Sequence, residues 1–323
     1  MAGKVKGKKK ASKQKKSAKK GTNYSKGTKP QGKQGVPGSI KQKHVTAACS
    51  ILNPFCVVAK GAKRPDGFGM STMGIQLRSV YNIGTGATGV CGNMFIPGVT
   101  FVGAIANSFA SPNYTVNAAW SATVNAGLVT THAKELRIVS WGVTFRVITS
   151  ATTSGGYALI SSIANPVVGQ VIPTGTLTFG ETQTVNLSSG KEFSFVGKPI
   201  GATAHHFRPL AEFTSTMSNL DWSCCWIELA GASASTNVLL AEVVYNVEFT
   251  LSEGSTTSLG SMLPPPKPVN TIAVHTQTAV QAKMPAIVQG GLDKLESTVK
   301  NMASTALDDI LQGGMAFMAG LGL

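Results

Sequence analysis

The sequence predicts an all-β body carrying a disordered basic arm, and three observations carry that prediction. Two long segments alternate apolar and polar residues with a strict period of two. The stretch from about Thr46 to Ser255 is rich in Val, Ile, Thr, Ser, Gly and Ala and is broken by turn clusters at Thr85-Gly86, Ser154-Gly155-Gly156 and Ser188-Ser189-Gly190. All of the formal net charge of +15 lies in the first 43 residues, because the rest of the chain holds fourteen Lys plus Arg against fourteen Asp plus Glu.

The arm comes first. It contains fifteen lysines, Lys4, Lys6, Lys8, Lys9, Lys10, Lys13, Lys15, Lys16, Lys19, Lys20, Lys26, Lys29, Lys33, Lys41 and Lys43, and no acid occurs before Asp66. Gly, Ser, Thr, Gln and Pro fill the intervals, so residues 1–43 have almost nothing apolar to bury and read as disordered. Lysine is a flexible point charge, and its natural partner is a polyanion met through its phosphates with little sequence preference. Tyr24 alone makes no stacking platform for bases. A plain solvated tail or nuclear-import signal is the competing reading. The missing apolar core segment excludes a secretory signal, and the lack of Arg before Arg64 speaks against a mitochondrial presequence. Lys60, Lys63 and Arg64, at the boundary between arm and body, are further candidates for phosphate contact.

The body, residues 44–255, is expected to hold about eight strands. In NVLLAEVVYNVEFTL, Leu239, Ala241, Val243, Tyr245, Val247, Phe249 and Leu251 share one face, with Glu242, Asn246, Glu248 and Thr250 opposite. ELRIVSWGVTFRVITS repeats the pattern, placing Val139, Trp141, Val143, Phe145 and Val147 toward a core and Ser140, Thr144 and Arg146 toward an open face. DWSCCWIELAG is apolar on both faces, as in an interior strand. MGIQLRSVYN, GGYALISSIA, TLTFG, TQTVNL and KEFSFVG complete the set. Eight antiparallel strands in two sheets fit a single jelly roll.

Beyond the body, residues 256–284 form a linker stiffened by Pro264-Pro265-Pro266 and are not strand-like. In residues 285–323, Val288, Leu292, Leu295, Val299, Met302, Ala306 and Ile310 recur at helical spacing, which predicts an amphipathic helix followed by an apolar tail too short to span a bilayer. Such a segment packs against the body or its copies, or lies on a membrane.

The order of segments resembles the shell domain of nodavirus-like and tombusvirus-like capsid proteins over residues 1 to about 255. The resemblance rests on the lysine arm, CSILNPFCVVAKGAKRPDGFG, KELRIVSWGVTFRVITSATTSGG, GKPIGATAHHFRPL and the paired strands DWSCCWIELAG and LLAEVVYNVEFTL. It implies a jelly-roll shell domain that self-assembles into a small icosahedral particle, of the T=3 kind, and packages positive-sense single-stranded RNA through the arm. It also implies residence in the virion, assembly in the host cytoplasm, and a host receptor that the sequence does not identify.

The same resemblance raises self-cleavage near the C-terminus, with Asn301-Met302 as the nearest analogue of the scission site. The family's catalytic Asp falls in the stretch matching Asn53-Pro54-Phe55, where an amide cannot act as general acid or base. No catalytic residue is therefore expected. Calcium between subunits, common in related capsids, would draw on Asp66, Glu135 and Asp221, yet no loop concentrates acids and no metal ligand is assigned. His205-His206 reads as a loop or helix start. Cys49, Cys56, Cys91, Cys224 and Cys225 suggest neither a disulfide framework nor a zinc site. Two other functions stand beside the capsid reading: a cellular nucleic-acid-binding jelly-roll protein with a basic tail, and an autoproteolytic capsid precursor releasing a membrane-active peptide.

Overall fold

The two segments with the clearest alternation form the two longest strands and pair with each other. In the computed structural model, β7 (Ala133–Val147) and β14 (Asn237–Leu251) are antiparallel neighbours at the centre of the first sheet. The structure describes residues 53–55, 59, 63–64, 71–98, 101–104, 108–110, 113–116, 120–122, 126–150, 155–164, 166, 169–173, 181–214, 221–252 and 286–289. The lysine arm, TLTFG and residues 290–323, including Asn301, lie outside them.

The first sheet runs β1 (Met73–Gly84), β14, β7, β11 (Phe193–Val196), β15 (Ile287–Gln289), with β12 (Arg208–Pro209) also on β7. The second runs β10 (Thr182–Asn186), β8 (Tyr157–Ala164), β13 (Ser223–Ala230), β2 (Cys91–Phe95), β3 (Phe101–Ala104), β6 (Trp120–Ala122). A small third sheet joins β4 (Ser108–Ala110), β5 (Asn113–Thr115) and β9 (Val171–Pro173). Two short helices, α1 (Ala126–His132) and α2 (Leu210–Thr214), lead into β7 and follow β12. Every strand pairing between these elements is antiparallel.

The main core lies between the first two sheets. Trp141, Val143, Phe145, Tyr245 and Val247 from one meet Phe95, Ile160, Cys225, Ile227 and Leu229 from the other. Aromatic rings knit it: Phe145 stacks on Phe193 at 5.1 Å and meets Phe95 edge-on at 5.7 Å, while Trp141 stacks on Tyr245 at 5.8 Å. The Tyr245 hydroxyl donates to the Ile96 carbonyl at 2.6 Å, so a buried phenol keeps a partner.

The structure corrects the sequence reading in four places. The pairing of β7 with β14 slips between Asn246 and Val247, a β-bulge that takes up Val139 as the extra residue. Upstream of it, Leu136 and Ile138 rather than Val139 join the main core. The supposedly open face of these strands is largely closed, with Ser140, Thr144, Asn246, Glu248 and Thr250 buried, while Glu242 and Arg146 stay accessible. CGNMF forms β2, a strand that its short length and Gly92 concealed. Residues 287–289, expected to begin a helix, instead pair with β11, because main-chain hydrogen bonding at a sheet edge outweighs a helical pattern of apolar residues.

Candidate functional site: the segment after the basic arm on the first sheet

What closes the polar face of the first sheet is the segment that follows the arm. Asn53 forms a local turn, its side-chain oxygen accepting from the Phe55 amide at 3.2 Å. The Pro54 carbonyl accepts from Gln76 Nε2 at 3.0 Å and Asn246 Nδ2 at 3.1 Å. Asn246 Nδ2 also donates to Ser140 Oγ at 2.8 Å, and Gln76 Nε2 to Asn246 Oδ1 at 3.0 Å. Arg78 reaches over this cluster, donating to the Phe55 carbonyl at 3.1 Å and pairing with Glu242 at 2.8 Å. Gly142 makes the approach possible: a Cβ there would lie 2.9 Å from Phe55 Cζ, 3.0 Å from Pro54 Cγ and 2.7 Å from the Phe195 carbonyl oxygen.

The second half of the junction is ionic. Glu248 faces Arg137 directly across the β14–β7 ladder, and both side chains are nearly inaccessible. Arg137 Nε and Nη2 donate to Glu248 Oε2 at 2.9 and 2.7 Å. The same oxygen accepts from the Arg64 amide at 3.0 Å, and the Thr72 hydroxyl donates to Oε1. Arg137 also donates to the His205 and Arg64 carbonyls, and its guanidinium sits 4.4 Å from the centre of the Phe207 ring. A buried ion pair is held in place only when such extra hydrogen bonds satisfy both partners, and breaking one side is costly. The pair therefore fixes Arg64 and Thr72, on either side of residues 65–71, to the sheet.

Of the residues expected to touch phosphate, the structure places Lys63 and Arg64 at this junction, while the fifteen arm lysines and Lys60 lie outside the described residues. The Lys63 ammonium donates to the Thr72 carbonyl. Of the acids considered for calcium, Asp66 is outside the described residues. Asp221 takes a left-handed backbone (φ 56°) and accepts from Thr203 and Arg208, and Glu135 is half-buried on β7. Among the described residues no three His, Cys, Asp or Glu side chains come together, and no helix is long and apolar enough to cross a membrane. His205 packs edge-on against Trp222 at 5.1 Å, in a turn leading to β12.

Sequence reasoning missed Arg137 and Glu248 as a pair. The available signal was a charge of each sign on the polar side of two adjacent strands.

No protein family matches this chain by sequence, and no curated protein does. Solved structures do share its fold. The subunit in the crystal structure of the T13 viral particle of infectious bursal disease virus aligns with a TM-score of 0.59 at 11% identity, over 84% of this chain and 99% of that one. The subunit of T=1 particles derived from the same virus aligns at 0.57 and 12% identity, over 81% and 96%. That of its VP2 subviral particle aligns at 0.55 and 10%, over 84% and 99%. At such identities the likeness is one of fold.

Proposed function

We propose that this chain is a structural capsid protein that self-assembles into an icosahedral shell and packages single-stranded RNA through its basic arm. The observation that carries the reading is the division of the molecule. A body without net charge shares its fold, over most of its length, with subunits of viral particles, and it is joined to an arm that carries the whole excess of positive charge.

Eight of the strands support a jelly roll. Within the two large sheets, the runs β1-β14-β7-β11 and β10-β8-β13-β2 have the strand orders of two interlocked Greek keys. On this reading β3 to β6 are insertions between β2 and β7, β9 is one between β8 and β10, and β15 is an addition. On this reading the role is structural rather than catalytic, since the amide of Asn53 cannot act as general acid or base. The virion is the proposed location, with assembly in the host cytoplasm and a T=3, positive-strand RNA particle as the specific form.

The arm lysines neutralise phosphates, and Lys60, Lys63 and Arg64 continue the basic run along the sequence toward the body. Each phosphate neutralised on a single strand contributes roughly −0.7 to the log–log salt slope, so RNA binding should weaken steeply with salt. The test is to express the full chain alone, image it by negative-stain electron microscopy and record the ratio of absorbance at 260 and 280 nm. Uniform closed shells with a nucleic-acid-rich spectrum are expected. A persistent monomer that binds RNA would replace this reading with that of a cellular RNA-binding protein.

A further inference from the structure

Residues 286–289 return to the body after a gap of residues 253–285 and seat on the exposed edge of the first sheet. Ile287, Val288 and Gln289 pair with Phe195, Ser194 and Phe193 of β11. The Val196 amide donates to the Ala286 carbonyl at 2.7 Å, and the Ala286 amide donates to Glu181, which also binds Lys198. Glu181 immediately precedes β10 of the second sheet, so the segment ties the two sheets together. Ala286 is fully buried in the main core.

Two features of this seat bear on which copy of the chain fills it. The contacts described are main-chain hydrogen bonds, one bond from a main-chain amide to the Glu181 carboxylate, and one methyl group, so the same segment from any copy fits equally. The intervening residues 253–285 span at most on the order of 100 Å when extended. A compact body of this size has a radius of gyration of only about 17 Å. The seats of adjacent copies in a shell are therefore within reach, and an unfilled β11 edge would be a free template for pairing.

We infer that residues 286–289 are a transferable edge strand which, in the assembled shell, seats on β11 of a neighbouring copy. Exchange of an identical element gives a second copy the full set of contacts without any new surface, which makes it a low-cost route to linking subunits. The inference rests on the capsid reading.

Ser194 and Val288 are register partners, and a cysteine pair there reports which chains are joined. A tagged S194C chain and an untagged V288C chain are co-expressed, assembled, oxidised and run without reductant beside the unsubstituted chain and the S194C/V288C double variant. A disulfide joining tagged to untagged chain is expected, together with a ladder of multimers from the double variant. The inference is overturned if the double variant closes its bridge only within one chain while the co-expressed singles give nothing above the unsubstituted background. A failure of every combination to cross-link overturns it too, since the pairing itself is then absent. Shells without cross-links count against the exchange alone, whereas an absence of shells counts against the capsid reading beneath it.

Discussion

The outer faces of the two large sheets are each covered in part, but by different chemistry. On the first sheet the cover is the segment that follows the arm, held by Asn246, Gln76 and the buried Arg137–Glu248 pair. On the second it is the small third sheet, whose Tyr114, Val116 and Ile172 pack on Met94, Ile163 and Trp226. Tyr114 and Trp226 meet edge-on at 5.3 Å, and Gly92 allows it, since a Cβ there would lie 2.6 Å from the Trp226 ring. Hydrogen bonds and charges are directional and specify register, whereas apolar packing supplies bulk stabilisation with less demand on geometry. The difference teaches that the junction is built for position and the opposite face for adhesion.

Substitutions on each face should separate the two. Trp226→Ala and Glu248→Ala are each expected to cost about 3–5 kcal/mol, the first through a cavity and the second by stranding a buried guanidinium. Chemical denaturation of the body, residues 44–323, measures both. Their couplings should differ: a double-mutant cycle on Arg137 and Glu248 is expected to give roughly 2–3 kcal/mol, against about 1 kcal/mol for Tyr114 and Trp226. Equal couplings would erase the contrast.

Crowding the glycines gives a smaller effect on both faces. Gly142→Ala and Gly92→Ala should each destabilise by about 1–3 kcal/mol. Only Gly142→Ala should increase proteolytic cleavage of residues 53–72, because only that face holds the segment.

Alkali should weaken the second sheet, whose Cys91 packs against the main core. Burial pushes the Cys91 thiol up to about 11, partly offset by a hydrogen bond from Asn93, and burial likewise raises Cys224 and Tyr114. The folded state then keeps its proton where the unfolded chain has lost it. This contribution is complete below about pH 9 and is lost as pH rises toward 11. Cys91→Ala should give a shallower fall in stability over that window, and an unchanged slope would remove Cys91 from the account.

The smallest effect belongs to the surface. Arg146 pairs with Glu192 at 2.9 Å, but its side chain is half exposed, so Arg146→Ala should change stability by less than about 1 kcal/mol.

The strands that build the core were legible because a half-buried or fully buried strand of twelve to fifteen residues leaves a long periodic trace, as in β1, β7 and β14. The third sheet was not, since three-residue strands are too short to carry a period. The bulge at Val139 left only a slight trace, the adjacent apolar residues Ile138 and Val139 where the alternation of ELRIVSWGVTFRV changes phase, and the partner strand shows which of them is the extra residue. At the junction, Asn53 and Pro54 stood out as a motif, but their partners Gln76, Ser140 and Asn246 are distant in sequence and ordinary in type. Arg137 and Glu248 are 111 residues apart, and strand register alone brings them together.

The central claim is that the neutral body builds the shell while the arm supplies the attraction for RNA. The most direct test compares particles of the full chain with those of a chain beginning at His44, measuring nuclease-protected RNA per milligram of purified shell. The account predicts a folded body that still assembles and loses most of its RNA. Undiminished RNA in shells of the truncated chain would contradict it.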